Sequence, residues 1–170
     1  MAAQNRYLRG KQGTVLADVH GNTTIEAGDL LFIFNTDGDR GVGVDPDNYV
    51  YPFTDIATPT GNTNIQEVIA SSFVGVAMES SPSGVTEKIT IATTGIFRYP
   101  QLRKSAVSVG ALVCSPSPSA GAPGASVQTV YTGATGDGST AYLGYCVKTN
   151  TSGTTFIDFE IRTIYNGLAT

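Results

Sequence analysis

The sequence predicts an all-β chain: a single antiparallel β-barrel/β-sandwich domain of about eight to ten short strands, with at most one short helix. Three observations carry this. Apolar residues fall in short runs, many alternating with polar neighbours at period two, which sends successive side chains to opposite faces of a strand. Clusters of Gly, Pro, Ser, Asn and Asp separate the runs and supply turn chemistry. Charge is sparse at 14% and tryptophan is absent. At 170 residues the chain suits one domain, and folding buries roughly 70% of the surface that the unfolded chain exposes, so the core needs no disulfide or metal staple. Residues 1–12 read as an extended N-terminal arm and residues 13–170 as the β domain.

Taken in order, residues 1–12 hold Arg6, Arg9 and Lys11 without one acid, with Tyr7 and Leu8 between them. Such a terminus is either a solvated tail or an arm that docks on a partner, its cations meeting carboxylates and Tyr7 serving as apolar anchor. Addition of a strand to an exposed sheet edge is the expected docking mode. TVLADV from Thr14 is a strand, His20-Gly21-Asn22 a turn, and Thr23–Glu26 the return. Ala27-Gly28-Asp29 turns into LLFIFN, whose unbroken apolar run predicts a strand covered on both sides. TDGDRGVGVDPDNYVYP reads as a hairpin with an acidic rim. Its Asp37, Asp39, Asp45 and Asp47 do not fit the twelve-residue calcium loop, because Val42 and Asn48 stand where a glycine and a glutamate belong. Thr63 with Gln66, or Asn64 with Glu67, offers a capping box ahead of VIASS and hence a short helix.

From Phe73 to Val113 the pattern is strand, tight turn at Ser81-Pro82-Ser83-Gly84, long strand, loop at RYPQLRKSA, and strand. Val74, Val76 and Met78 are expected on one face, as are Val85, Ile89 and Ile91, and then Val107, Val109 and Val113. SPSPSAGAPGAS is a loop. VQTVYTG, AYLGYCVK and TFIDFEIRTIY form a three-strand meander, the last with Ile157, Phe159 and Ile161 inward and Asp158, Glu160 and Arg162 outward.

This ordered set of short motifs resembles the small head-decoration (cement) proteins of tailed bacteriophages. The resembling residues are LLFIF behind Ala27-Gly28-Asp29, then GVAMES, TEKITIATTGIF, and the V-x-x-G-x-x-V strand VSVGALV, over roughly residues 25–148. The acidic, glycine-rich segment after LLFIF departs from that pattern. The resemblance implies a structural protein of the virion, assembled in the host cytoplasm. It would bind the outer capsid surface and bridge neighbouring subunits of the major capsid protein. It further implies a capsid-binding arm carried by Arg6, Tyr7, Leu8, Arg9 and Lys11, and self-association as a homotrimer, with a dimer as the alternative.

The remaining residues offer little chemistry. The single histidine, His20, sits in a turn signal, and no nucleophile elbow, P-loop or dinucleotide fingerprint is present. Neither catalysis nor a metal or other cofactor is expected. A net charge of −4 argues against nucleic acid as partner. No apolar run approaches the roughly 18 residues of a membrane helix, so no membrane partner is expected, and the N-terminus lacks the apolar core of a secretory signal. Cys114 and Cys146 are expected as reduced, buried thiols, a cross-strand disulfide being the alternative. Two further functions compete: another virion β domain (a head-fibre base or tail-associated module), and a carbohydrate-binding module stacking sugars on Tyr131, Tyr142, Tyr145 and Tyr165. Tyr145 shares a face with Leu143 and Val147 and is expected in the core.

Overall fold

The computed structural model of the chain describes residues 6–9, 13–33, 49–53, 70–101, 106–114, 130–132 and 142–166. Their strands are β1 (Arg6–Arg9), β2 (Thr14–Ala17), β3 (Leu30–Phe32), β4 (Tyr51–Pro52), β5 (Phe73–Ala77) and β6 (Ile89–Ala92). They continue as β7 (Ile96–Pro100), β8 (Leu112–Cys114), β9 (Tyr131–Thr132), β10 (Gly144–Cys146) and β11 (Phe156–Ile161), and a 3-10 helix spans Ile164–Asn166. They form a six-stranded sheet in the order β1-β7-β11-β10-β8-β9 and a five-stranded sheet in the order β2-β6-β5-β3-β4. All strand pairs are antiparallel, and neither sheet closes on itself, so the sandwich and not the barrel is the architecture.

The core between the sheets is aromatic. Phe32, Phe53 and Phe73 come from the five-stranded side and Phe97, Tyr99 and Phe159 from the six-stranded side. Rings pack at 5.4 Å between Phe32 and Phe73 and at 5.6 Å between Tyr99 and Phe159, tilted as the ring quadrupoles prefer. The expected double burial of LLFIFN holds for β3. Leu30 and Phe32 face this core, while Leu31 and Ile33 join a second cluster on the other face of the sheet with Val74, Ile89 and Ile91. Val19, Ile25, Val50 and Ile164 help cover that second face.

Several expectations are corrected. Val74 and Val76 lie on opposite faces because β5 bulges: Leu31 pairs with Gly75 and Phe32 with Phe73, leaving Val74 as the extra residue. Gly75 has φ +149°, and a Cβ there would run into the Ala92 carbonyl, so the bulge requires glycine. Met78 is exposed at a bend and Val109 in a turn. The long strand expected over VTEKITIATTGIF is two strands in different sheets. Thr93, Thr94 and Gly95 (φ +138°) turn the chain from β6 into β7. Arg98, Tyr99 and Pro100, expected in a loop, belong to β7. Thr23–Glu26 does not return along β2; Ile25 instead bridges Ser81. The C-terminal meander is interrupted, since β8 lies between β9 and β10. The expected turns hold at His20–Thr23 and at Pro82–Val85, and β3 and β4 are antiparallel neighbours, as a hairpin requires. Ala70 and Ser71 are helical, whereas the capping box at 63–67 lies outside the described residues.

A buried polar contact crosses the core. The Tyr99 hydroxyl donates to the Gly28 carbonyl at 2.6 Å, tying β7 to the turn that starts β3. Its environment is fully buried, so the bond is made without competing water. Tyr99→Phe should keep the fold and lower the unfolding free energy by about 1–2 kcal/mol, read from the midpoint of urea denaturation.

Candidate interaction surface

The two sheets differ in how their outer faces are finished. In the five-stranded sheet β3, β4 and β5 are buried at every position, whereas the six-stranded sheet keeps one face partly open to solvent. Registers define its rows: Pro100 opposite Phe156, Arg98 opposite Asp158, and Ile96 opposite Glu160, itself opposite Tyr145 and then Leu112. Directly opposed residues share a face, so these side chains form one surface. Phe156 is 42% exposed there, and Ile96, Pro100, Leu112 and Tyr145 are partly exposed.

At its centre Arg98 grips Asp158 with two bonds, Nε to Oδ1 at 2.6 Å and Nη2 to Oδ2 at 2.9 Å. This fork geometry makes the pair stronger than a single-point contact. The bond to Asp158, with its charge, raises the Arg98 pKa further. Nearby, the Arg162 guanidinium lies 5.5 Å from the centre of the Tyr145 ring, and that ring packs on Tyr142 at 5.2 Å. The last strand alternates as expected, with Ile157, Phe159 and Ile161 in the core and Asp158 and Glu160 on the other side, but Asp158 is itself buried beneath Arg98, and Arg162 follows the strand's end. The outer face itself is mixed and not simply charged. Replacing Arg98 and Asp158 singly and together should give a coupling of about 1 kcal/mol that shrinks as salt rises, measured by a double-mutant cycle in chemical denaturation.

Of the residues assigned to the arm, Arg6, Tyr7, Leu8 and Arg9 are β1, an edge strand of this same sheet. Arg6 pairs with Arg98, Tyr7 with Phe97 and Arg9 with Ile96, and the register shifts at Leu8. In this structure β1 is paired antiparallel with the chain's own β7. Lys11 lies outside the described residues, as do the aspartates of the 37–47 segment, Arg103, Lys104 and the SPSPSAGAPGAS loop. Sequence reasoning missed Ile96, Arg98 and Pro100 as surface residues. The alternation in IFRYP carried the signal, but its proline and the polar residues after it read as a loop.

The other candidates are placed as follows. His20 is in its turn: its Nδ1 accepts the Asn22 amide at 3.3 Å, and its ring stands 5.5 Å from Tyr49 and 5.8 Å from Tyr51. Tyr145, expected in the core, is half-buried on the outer face, whereas Tyr142 is buried. The bend at Leu143 breaks the alternation on which that expectation relied. Tyr165 is exposed on the 3-10 helix. Among the described residues no group of three or more His, Cys, Asp or Glu could hold a metal ion, and no helix is long and apolar enough to cross a membrane.

Cys114 and Cys146 are free and buried. Val113 pairs with Gly144, so the two thiols stand three residues apart in register, about 10 Å along the strands and beyond the span of a disulfide. Cys146 Sγ donates to the Lys148 carbonyl at 3.0 Å. Burial pushes the Cys114 thiol up to about 11. Burial, and secondly the charge of Asp29, lifts Tyr99 well above the ordinary phenol range. A raised pKa means that the folded state holds the proton more tightly. This stabilisation is whole below the unfolded thiol pKa, near 9.0, and is lost as pH climbs through the folded values. Unfolding free energy should therefore fall between about pH 9 and 11, less steeply in Cys114→Ala, and native protein should leave both thiols unlabelled by iodoacetamide at neutral pH.

No protein-family model matches the chain, and no curated protein matches it. Among solved structures it is similar to the N base of the head fiber protein gp8.5 of bacteriophage phi29. That likeness has a TM-score of 0.43 and 12% sequence identity, and covers 88% of this chain and 94% of the phi29 chain.

Proposed function

We propose that this chain is a structural protein of a tailed-phage virion that binds the outer capsid surface and stabilises it by bridging neighbouring major capsid protein subunits. The observation that carries the proposal is the division of faces. One sheet is closed on both sides along β3, β4 and β5, while the other offers a firm surface of apolar residues around an internally neutralised ion pair. The cationic strand Arg6–Arg9 forms that sheet's rim. The ordered motif resemblance over residues 25–148 supports the same reading. Work of this kind needs area and repetition in place of bond-making: modest contacts in each copy sum over many copies held at high effective concentration.

The cations Arg6 and Arg9 of this rim strand, with Lys11 after them in sequence, would meet carboxylates on the shell. Rim charges chiefly govern encounter rate and salt dependence, while the apolar centre governs residence. Truncating residues 1–12 would also strip an edge strand from the sheet, so charge reversal is the cleaner test. Arg6→Glu with Arg9→Glu and Lys11→Glu should lower occupancy on purified empty capsids roughly tenfold at low salt in a pelleting assay, with thermal stability nearly unchanged. Failure of the unaltered protein to pellet with capsids, or its retention on a glycan panel alone, would overturn the proposal. Cryo-EM density at the base of a fibre in place of the capsid lattice would move it to the head-fibre alternative.

A further inference from the structure

Four strands form the edges of the two sheets, and three are blunted against pairing. β1 carries Arg6 and Arg9 with a register shift between them, β4 is two residues ending in Pro52, and β9 is two residues long. Charge, bulges, proline and brevity are the usual protections of an open edge. β2 has none of them along Thr14–Ala17; the chain covers this edge only beyond it, where the Asp18 carbonyl accepts the Val50 amide at 2.9 Å. β2 runs in regular register with β6 through Thr14–Ala92, Val15–Ile91, Leu16–Thr90 and Ala17–Ile89, and it contains no charge and no proline. Leu16 is 66% exposed, the most exposed large apolar side chain among the described residues.

The main chain of β2 can be oriented from its neighbours. The Thr90 carbonyl accepts the Met78 amide at 2.9 Å, and the Thr90 amide donates to Glu79 Oε2 at 3.0 Å, so both point away from β2. The Thr93 amide donates to the Gly13 carbonyl at 2.8 Å, so the odd positions of this stretch point toward β2. Antiparallel ladders alternate in this way. Val15 and Ala17 therefore bond to β6, while the N–H and C=O of Thr14 and Leu16 face the open side. Two outward pairs at a spacing of two residues are a complete pairing unit for a strand of the same sequence running the other way.

We propose that β2 is a self-association edge on which a second copy of this chain adds its own β2, antiparallel, about a two-fold axis at Val15. Thr14 of each copy then exchanges hydrogen bonds with Leu16 of the other, joining the two five-stranded sheets into one. Charge selects this occupant. The edge carries none, and the flanking Asp18 is neutralised by Lys88 at 2.9 Å, so like meets like without repulsion although the whole chain is at −4. Along Thr14–Ala17 an acidic or basic partner finds no counter-charge. Leu16 and Thr14 project from one face and cover each other across the join, with Met78 exposed in the same cross-strand row beyond Thr90. Of the two oligomers expected from the sequence, this contact makes the dimer, and it stands independently of capsid binding.

Sedimentation equilibrium across a wide concentration range, with hydrogen exchange at the Thr14 and Leu16 amides, tests the proposal. The unaltered protein should show twice the chain mass, with both amides protected. Leu16→Lys, and separately Thr14→Lys, should halve the mass and release both amides while circular dichroism and melting temperature stay unchanged. A monomer at every concentration would overturn the proposal, as would a dimer or trimer that neither variant dissociates.

Discussion

The two sheets of this protein are held in one alignment by the hydroxyl of Tyr99 reaching the carbonyl of Gly28 inside an otherwise apolar core. Hydrophobic contact between sheets is non-directional, so aromatic packing by itself tolerates sliding and repacking. A buried hydrogen bond does not, because displacing one partner leaves polar groups in a medium that cannot solvate them. The bond joins β7, the first strand after the crossing between sheets, to the turn that launches β3, the strand buried on both faces. The corner at Thr93–Gly95 is pinned as well: the Ile161 amide donates to the Gly95 carbonyl at 3.1 Å and the Thr163 hydroxyl to the Thr93 carbonyl at 3.2 Å. The chain's midpoint, its β3 turn and its last strand thus fix one another.

How much of this was legible follows from the range of the forces involved. The last strand was, because Ile157, Phe159 and Ile161 alternate with Asp158, Glu160 and Arg162, and period-two patterning is local. So was β3, because only a strand covered twice is apolar at every position. The bulge at Val74-Gly75 was not. Its cause is the Ala92 carbonyl on a strand distant in sequence, and the local pattern reads through it as a regular strand. The crossing at Thr93–Gly95 was hidden likewise, since two short strands joined by Thr-Thr-Gly look like one long β-branched run. The place of β8 between β9 and β10 depends on long-range pairing, which no period encodes. For the surface, the cations of residues 1–12 were visible from composition, but not that Arg6–Arg9 would add to the chain's own β7.

That placement alters what the N-terminal cations can do. On a free arm they would lose conformational freedom on docking, a cost that falls on affinity. Set on the rim of a sheet, their main chain is already ordered. The neighbouring face is suited to the same end, because Arg98 and Asp158 satisfy each other and present no unpaired charge to be stripped of water on contact. Ile96, Pro100, Tyr145 and Phe156 around them can then be covered at small polar cost. A rigid, internally compensated face serves a bracing protein better than a strongly charged one, whose hold weakens as ionic strength rises.

A chain that worked by repeated contact, as proposed above, would also have to avoid repeating contacts with itself indefinitely. Unlike edges that pair head to tail propagate into filaments, whereas an edge that pairs with its own copy about a two-fold axis is used up after two chains. The distribution of protection around this sandwich follows that distinction. β1, β4 and β9 are each spoiled by charge, proline or brevity, so among the described strands no second kind of edge is available to continue a pairing begun at β2. One open edge among three closed ones gives a bounded assembly, whereas two open and different edges would give a fibre. The exposed Leu16, costly on any strand meant to stay solvated, is consistent with an edge that is meant to be covered.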